Sequence, residues 1–169
     1  MEVAGLLVDA FGRIREEVHG VLDGTSRAVL TYRPDPDANS IAWLVWHLTR
    51  IQDDHVADVA GAEQRWLAAD WRERFGLPFA PGATGYGQSS DEVAAVQAPA
   101  ELLLGYLDAV TAQSLSYLKS VTDDDLDRIV DTNWDPPVTL GVRLISVLSD
   151  GLQHAGQAAY VRGVVERLG

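Results

Sequence analysis

Apolar residues recur at intervals of three and four along most of this chain, and that spacing constrains the fold more than any other feature. Such steps place side chains on one face of an α-helix. Four stretches show the spacing at length: Val3 to Leu22, about Ser40 to Ala60, about Pro99 to Ser120, and about Leu140 to Leu168. We find no convincing strand, so the sequence predicts an all-α fold.

Turn and capping residues indicate where these helices start and stop. Gly24 follows the first helix and Gly61 the second, and glycine is typical just past a helix end. Asn39 or Ser40 caps the second helix. Pro136-Pro137 interrupts the chain before the last helix.

The connections between the long helices are themselves long and contain shorter helical segments. Aromatic spacing predicts a short helix between Trp66 and Phe75, and Ser89 or Ser90 starts another. The loop Gly76–Gly87 lies between them, and a loop of this length in a small domain is often functional. Because 169 residues suit one domain of ~100–200 residues, we expect residues 1–169 to form a single four-helix bundle with additional short helices and long connections.

The second helix is apolar nearly all round at its start. The residues concerned are Ile41, Trp43, Leu44, Val45 and Trp46. A helix without a polar face is buried on several sides. It therefore lies either at the centre of a bundle or at a subunit interface.

Charge and composition disfavour several classes of partner. Thirteen basic residues against 25 acidic ones give a net charge of −12, which disfavours nucleic acid and anionic membrane surfaces. No apolar stretch reaches the ~18 residues of a membrane span. The N-terminus shows no basic region before an apolar core, so we see no secretory signal. We expect a cytoplasmic protein.

Histidine is the residue type most able to carry chemistry here, because the chain has no cysteine and so no thiol nucleophile of its own. Asp150 and His154 are four residues apart, which places them on one face of the last helix. Both lie towards its buried arc. A buried aspartate needs a partner, which is a divalent cation, an arginine, or a Trp or Tyr hydrogen-bond donor.

A third ligand would come from the second helix, where His47 and His55 are the candidates. They lie about 12 Å apart along the helix, so they cannot both bind one ion. Helical periodicity favours His55, because it lies near the middle of the apolar stripe and His47 lies at its edge. Either could instead be a core histidine hydrogen-bonded to a neighbour.

Two segments resemble the signature helices of the DinB-like superfamily. They are Ser40 to Leu48, which reads SIAWLVWHL, and Gln153 to Gln157, which reads QHAGQ. The superfamily includes bacillithiol transferases and the N-terminal domain of mycothiol-dependent maleylpyruvate isomerase. The resemblance implies a four-helix bundle, often a homodimer, that holds a divalent metal ion, with zinc or nickel the ions we expect.

The resemblance also implies a ligand set for that ion. The usual ligands are one histidine at the position of His47 and a pair of histidines four residues apart on the last helix. The second of the pair matches His154, and the first falls on Asp150, so the expected metal ligands are His47, Asp150 and His154. Two histidines and one carboxylate remain a sound set for a divalent ion.

The activity that the resemblance implies is metal-dependent transfer or isomerisation that uses a low-molecular-weight thiol, such as mycothiol or bacillithiol, as cosubstrate. A divalent ion lowers the pKa of a thiol, and without cysteine the sulfur must come from outside the chain. For a small-molecule substrate, Arg50 is a candidate to pair an anionic group, or it forms an ordinary salt bridge. Gln157 is a candidate to hydrogen-bond near the site, and no catalytic residue is assigned.

The alternative function is a non-catalytic dimeric helical bundle in which Asp150 marks a degenerate metal site. A small-molecule binding or stress-sensing role has no distinct sequence support. Trp134 and the loop Gly76–Gly87 are candidates to cover an opening.

Overall fold

The computed structural model describes residues 2–168, and four long helices dominate this part of the chain. The helices are α1 (Val3–Leu22), α2 (Arg27–Leu30), α3 (Ile41–Ala60), α4 (Arg65–Ala68), α5 (Trp71–Phe75), α6 (Ser90–Ala95), α7 (Ala100–Leu118) and α8 (Leu140–Leu168), with a 3₁₀ turn at Asp123–Asp127. This confirms the all-α four-helix bundle with short additional helices. Met1 and Gly169, which the single-domain expectation included, lie outside the described residues.

The long helices are arranged so that successive ones do not always touch. Helices α1 and α3 each pack against both α7 and α8, which places α1 and α3 on one diagonal of the bundle and α7 and α8 on the other. A chain that leaves α1 for α3, or α7 for α8, has to cross that diagonal. This arrangement accounts for the long connections from α1 to α3 and from α7 to α8 that the sequence predicts.

Helix α3 lies at the centre of the fold. The Ser40 side chain caps it by accepting a hydrogen bond from the Trp43 N–H, and Gly61 ends it in the left-handed conformation at φ 63°. Every residue from 41 to 50 is buried within the chain. The apolar start of this helix therefore reflects a central position in the bundle, and it is not evidence for a subunit interface.

The irregular connection between α3 and α7 folds back over these two helices. Trp66 and Trp71 are buried, and their rings pack against Tyr106 of α7 at centroid distances of 5.3 and 5.6 Å.

Within residues 2–168, no helix combines the length and apolarity needed to cross a bilayer.

A short antiparallel ribbon departs from the expectation that the chain has no strand. Strand β1 (Ile129–Asp131) pairs with β2 (Val138–Thr139), which leads directly into α8. The Asp131 side chain accepts a hydrogen bond from the Asn133 N–H at 2.9 Å and shapes the turn between the strands. Strands of three and two residues are too short to show an alternating pattern, which is why they could not be predicted from the sequence.

Candidate metal centre

Side chains from two helices converge between α3 and α8. Asp150 Oδ1 lies 3.6 Å from His47 Nε2 and 3.4 Å from His154 Nε2. One potential ligand atom from each residue lies within 4.8 Å of the other two. The structure thus brings together the three side chains that the resemblance singled out, although His47 lies about a hundred residues from Asp150 and His154 in the chain.

The loop before α6 fixes the orientation of the His47 ring. His47 Nδ1 lies 2.5 Å from the Thr84 carbonyl oxygen. A carbonyl only accepts, so Nδ1 carries a proton, and Nε2 is the ring nitrogen that faces Asp150. The Trp43 ring stacks on the imidazole at a centroid distance of 4.6 Å. His47 is therefore held with Nε2 turned inward, towards Asp150.

Gly85 allows the loop to approach His47 this closely. It has φ +101°, and a Cβ atom built on it would lie 2.6 Å from His47 Nδ1 and 3.1 Å from the rings of Trp43 and Trp46. Only glycine fits this position without moving its neighbours. Part of the loop Gly76–Gly87 thus covers the outer edge of the His47 ring, a contact between distant segments that local spacing does not reveal.

His154 is oriented in the same way by a different partner. Its Nδ1 lies 2.8 Å from Gln157 Oε1, which leaves Nε2 facing Asp150. Partners of this kind set the tautomer of a ligating histidine. Gln157 therefore contacts His154 and is not one of the three converging groups.

Asp150 is the centre of the group, and its charge is not fully compensated. Burial opposes its ionisation, but the contacts with His154 and His47 outweigh burial and hold the pKa of Asp150 well below its usual range. Burial likewise disfavours the charged form of His154, yet the contacts with Asp150 and Gln157 raise the pKa of this histidine. The second carboxylate oxygen, Oδ2, is buried and has no hydrogen-bond partner.

The donors fit a divalent metal ion. Bonds of about 2.0–2.1 Å to tetrahedral zinc place neighbouring ligand atoms roughly 3.4 Å apart, close to the 3.4 and 3.6 Å found around Asp150. Two imidazole nitrogens and a carboxylate suit several divalent ions. A bound cation would also give the unpartnered Oδ2 of Asp150 its missing counterpart.

His55, which helical periodicity favoured, lies elsewhere on α3. Its Nδ1 accepts a hydrogen bond from Arg143 at 3.2 Å and is 3.7 Å from a carboxylate oxygen of Asp54. Burial and the charge of Arg143 lower the pKa of His55. Periodicity misled here because α3 is buried on several sides, so its apolar stripe does not define one inward face.

Arg50 is fully buried, and its guanidinium group is surrounded by polar partners. It donates hydrogen bonds to the Ala83 carbonyl at 3.1 Å, to Tyr106 at 3.2 Å and to Gln64 at 3.0 Å. It also lies 3.5 Å from Asp53. This is the salt bridge that the sequence analysis named as the alternative to a substrate contact.

Trp134, a candidate to cover an opening, lies exposed in the turn between β1 and β2.

Comparisons with known proteins identify the family and agree with the fold. The family model of the DinB superfamily matches residues 10–158, so the chain belongs to the DinB superfamily. The crystal structure of a conserved protein from Enterococcus faecalis is similar to it, with a TM-score of 0.89 and 33% identity over 96% of each chain. No curated protein matches.

Proposed function

We propose that the protein binds one divalent metal ion, zinc or nickel, through His47, Asp150 and His154. One observation carries this proposal: both imidazoles have Nδ1 engaged and Nε2 turned towards a carboxylate whose second oxygen lacks a partner. Each group thus presents a ligand atom to a cation, Nε2 of each histidine and a carboxylate oxygen of Asp150, and binding would release any proton held on Nε2.

We further propose that this site serves a thiol-dependent S-transferase or isomerase, with a low-molecular-weight thiol such as mycothiol or bacillithiol as cosubstrate. A divalent ion, when bound, would supply a lowered thiol pKa. Neutral histidines and an ionised Asp150 contribute one negative charge, so the site would keep a net positive charge that attracts a thiolate. Since the chain has no cysteine, no internal thiol competes for the position.

The exposure of the three side chains sets the direction of approach. The His47 side chain is 6% exposed, whereas those of Asp150 and His154 are 26% and 18% exposed. A cosubstrate would therefore approach along α8, with the Thr84 side of His47 closed. A small-molecule substrate, a homodimer and a cytoplasmic location complete the proposal, and the net charge of −12 disfavours a nucleic-acid substrate.

Metal content tests the first part of the proposal. The purified protein is loaded with zinc or nickel, dialysed, and measured by elemental mass spectrometry. We expect one ion per chain in the wild type and loss of the ion in His47→Ala and His154→Ala. His55→Ala is the matched control on the same helix and should keep the ion. Equal loss in all three variants would contradict this ligand set.

Thiol consumption tests the second part. The metal-loaded protein is incubated with mycothiol or bacillithiol and a panel of electrophiles, and the remaining free thiol is titrated. We expect consumption that stops on chelation and returns when metal is added back. Metal binding without turnover would reject the enzymatic part alone.

The alternative is a non-catalytic bundle with a degenerate metal site. Its specific support is that contacts with His154 and His47 already favour the ionised form of Asp150 in the absence of a cation, since they lower the pKa of that carboxyl. It predicts no bound metal at micromolar added ion and an unchanged melting temperature.

A further inference from the structure

A groove lies between α8 and the segment that leads into α3. It has a volume of about 600 Å³, and its walls include Asn39 before α3 and Gln153, Gln157 and Tyr160 on α8. We call it the Tyr160 groove. Its volume lies within the range of ~300–1,000 Å³ that is typical of sites for small molecules. The three converging side chains of the candidate metal centre are not part of its lining, so a ligand here would be additional to the proposed metal ion.

The lining of the Tyr160 groove is uncharged except for one carboxylate. Of the described residues that line it, Asp37 is the one acidic residue and none is basic. The groove between α1 and α8 is different, because Arg13, Glu16 and Arg162 are among the side chains that line it. Without a guanidinium or an ammonium group, the Tyr160 groove has no side chain that pairs a carboxylate or a phosphate. Asp37 and the net charge of −12 further disfavour an anion.

Three amide side chains give the groove donors and acceptors that suit hydroxyl groups. Asn39 offers both, since an amide carries an NH2 group and a carbonyl oxygen. Gln153 donates from its NH2 group to the Ser149 carbonyl oxygen at 3.1 Å, so its own carbonyl oxygen is the atom available to a ligand. Gln157 accepts from His154 Nδ1 at 2.8 Å, so its NH2 group is the available donor. A hydroxyl group both donates and accepts, so it can match either kind of atom.

Tyr160 adds an accessible aromatic ring to these amides. It is 70% exposed, and Leu44 and Leu152 extend the apolar part of the lining. A pyranose ring has C–H groups on its faces and hydroxyl groups around its edge. It can therefore pack one face on an aromatic ring while its edge reaches the amides. A purely apolar ligand would cover the amides without giving them a partner, which costs free energy.

We propose that the Tyr160 groove binds a neutral saccharide. A sugar ring stacks on Tyr160, and its hydroxyl groups form hydrogen bonds with Asn39, Gln153 and Gln157. Asp37 favours a neutral sugar over an acidic one, because its carboxylate accepts from a hydroxyl group and repels a second carboxylate. The site goes beyond the proposed function and does not depend on it, since these contacts require no bound metal.

The groove adjoins the candidate metal centre through Gln157. This side chain lines the groove, and its carbonyl oxygen accepts from His154 Nδ1. A sugar that accepts from the NH2 group of Gln157 would hold the amide in place, and so it would help to fix the partner that orients the His154 ring. The saccharide would thus lie next to the centre without replacing any of the three converging side chains.

Chemical-shift titration of the metal-free protein with methyl β-D-glucopyranoside tests the proposal. We expect saturable shifts that are largest at the backbone amides of Gly156 and Gln157. Tyr160→Ala should weaken binding about tenfold through loss of the stacked ring, whereas Tyr160→Phe keeps the ring and should bind like the wild type. Tyr86→Ala is the matched control, because Tyr86 is an exposed tyrosine outside the groove. Absence of shifts at Gly156 and Gln157, or equal weakening by Tyr160→Ala and Tyr86→Ala, would overturn the proposal.

Two further probes test the chemistry of the ligand in the same titration. The methyl glucuronide carries a carboxylate in place of the CH2OH group, and cyclohexanol keeps a ring of the same size with a single hydroxyl group. Both should bind more weakly than the glucoside, the first because of Asp37 and the second because it leaves amides without a partner.

Asn39→Ala should weaken glucoside binding about fivefold, which corresponds to one hydrogen bond, and should leave cyclohexanol binding unchanged. Binding of either probe as tight as that of the glucoside would overturn the proposal. These titrations measure neither metal content nor thiol consumption, so their failure would leave the proposed metal site untouched.

Discussion

The contact between Gly85 and His47 leads to a prediction that separates backbone strain from the support of the candidate metal centre. Gly85 and Gly87 both adopt positive φ, at +101° and +70°, and lie two residues apart in the same loop. A Cβ at Gly85 would collide with His47, whereas a Cβ at Gly87 would meet nothing within 4 Å. Gly85→Ala therefore combines the penalty of a positive φ with a collision, whereas Gly87→Ala carries the penalty of a positive φ alone.

The expected magnitudes follow from these contacts. Gly87→Ala should cost only the left-handed penalty of about 1–2 kcal/mol. Gly85→Ala carries two further costs. Loss of the hydrogen bond between His47 and Thr84 costs about 1 kcal/mol, and overpacking against Trp43 and Trp46 costs about 1–3 kcal/mol. We therefore expect Gly85→Ala to lower the free energy of unfolding by about 3–6 kcal/mol.

Urea denaturation of the metal-free variants measures this difference, and zinc titration calorimetry measures its effect on the site. Loss of a partner that orients a ligating histidine typically weakens metal binding by about 10–100-fold. We expect that loss for Gly85→Ala and an unchanged affinity for Gly87→Ala. Equal destabilisation by the two substitutions would refute the argument that the loop presses on His47.

Three further predictions concern the buried polar groups and the centre. Asp53→Ala should lower the free energy of unfolding by about 3–5 kcal/mol in urea denaturation, because it leaves the charge of Arg50 buried without its carboxylate. Tyr106→Phe removes one hydroxyl from the same network and should lower the free energy of unfolding by about 1 kcal/mol. In the metal-free protein, the pKa of His154 is raised, so its protonated form stabilises the folded state. This stabilisation is complete below the unfolded pKa of about 6.5 and is lost as the pH rises through the folded pKa. The stability difference between wild type and His154→Ala should therefore shrink from acidic to alkaline pH, and a constant difference would contradict the ion pair. Asp150→His should raise zinc affinity in calorimetry without lowering the melting temperature, and a weaker site would count against position 150 as a ligand position.

The helices were predictable because their signals are local. The apolar spacing predicted α1 as Val3 to Leu22 and the last helix as Leu140 to Leu168, and the structure has the same bounds. Ser40 and Gly61 mark the ends of α3 as predicted, because capping depends on the neighbouring few residues. The β ribbon was missed because its pairing joins residues across a proline-containing turn, and neither strand is long enough to establish a period.

The candidate metal centre was only partly predictable from the residues themselves. The pair Asp150 and His154 follows from a four-residue step on one helix, which sequence shows directly. The choice between His47 and His55 does not, because it depends on the loop that folds back onto α3 and holds the ring of His47 through Thr84. The resemblance to the superfamily supplied that choice, whereas the apolar stripe alone favoured His55.

The surroundings of Arg50 were beyond the reach of the sequence for the same reason. Its partners Gln64 and Tyr106 lie 14 and 56 residues away along the chain. Asp53, one turn along α3, also accepts hydrogen bonds from the Arg65 and Trp66 N–H groups at 2.8 Å. A charged residue one turn from a histidine resembles a substrate contact in the sequence, and only the folded chain shows its partners.

The close contact of Gly85 with His47 divides the Gly76–Gly87 loop into two halves with opposite tolerance to change. Pro81 and Gly82 are exposed, and nothing lies within 4 Å of a Cβ built on Gly82. Extra residues, an affinity tag or a fluorescent reporter could enter the chain there without altering the ring orientation of His47. From Ala83 to Gln88, the backbone and side chains hold Arg50, His47 and Trp43, so the same insertion a few residues later would release the imidazole.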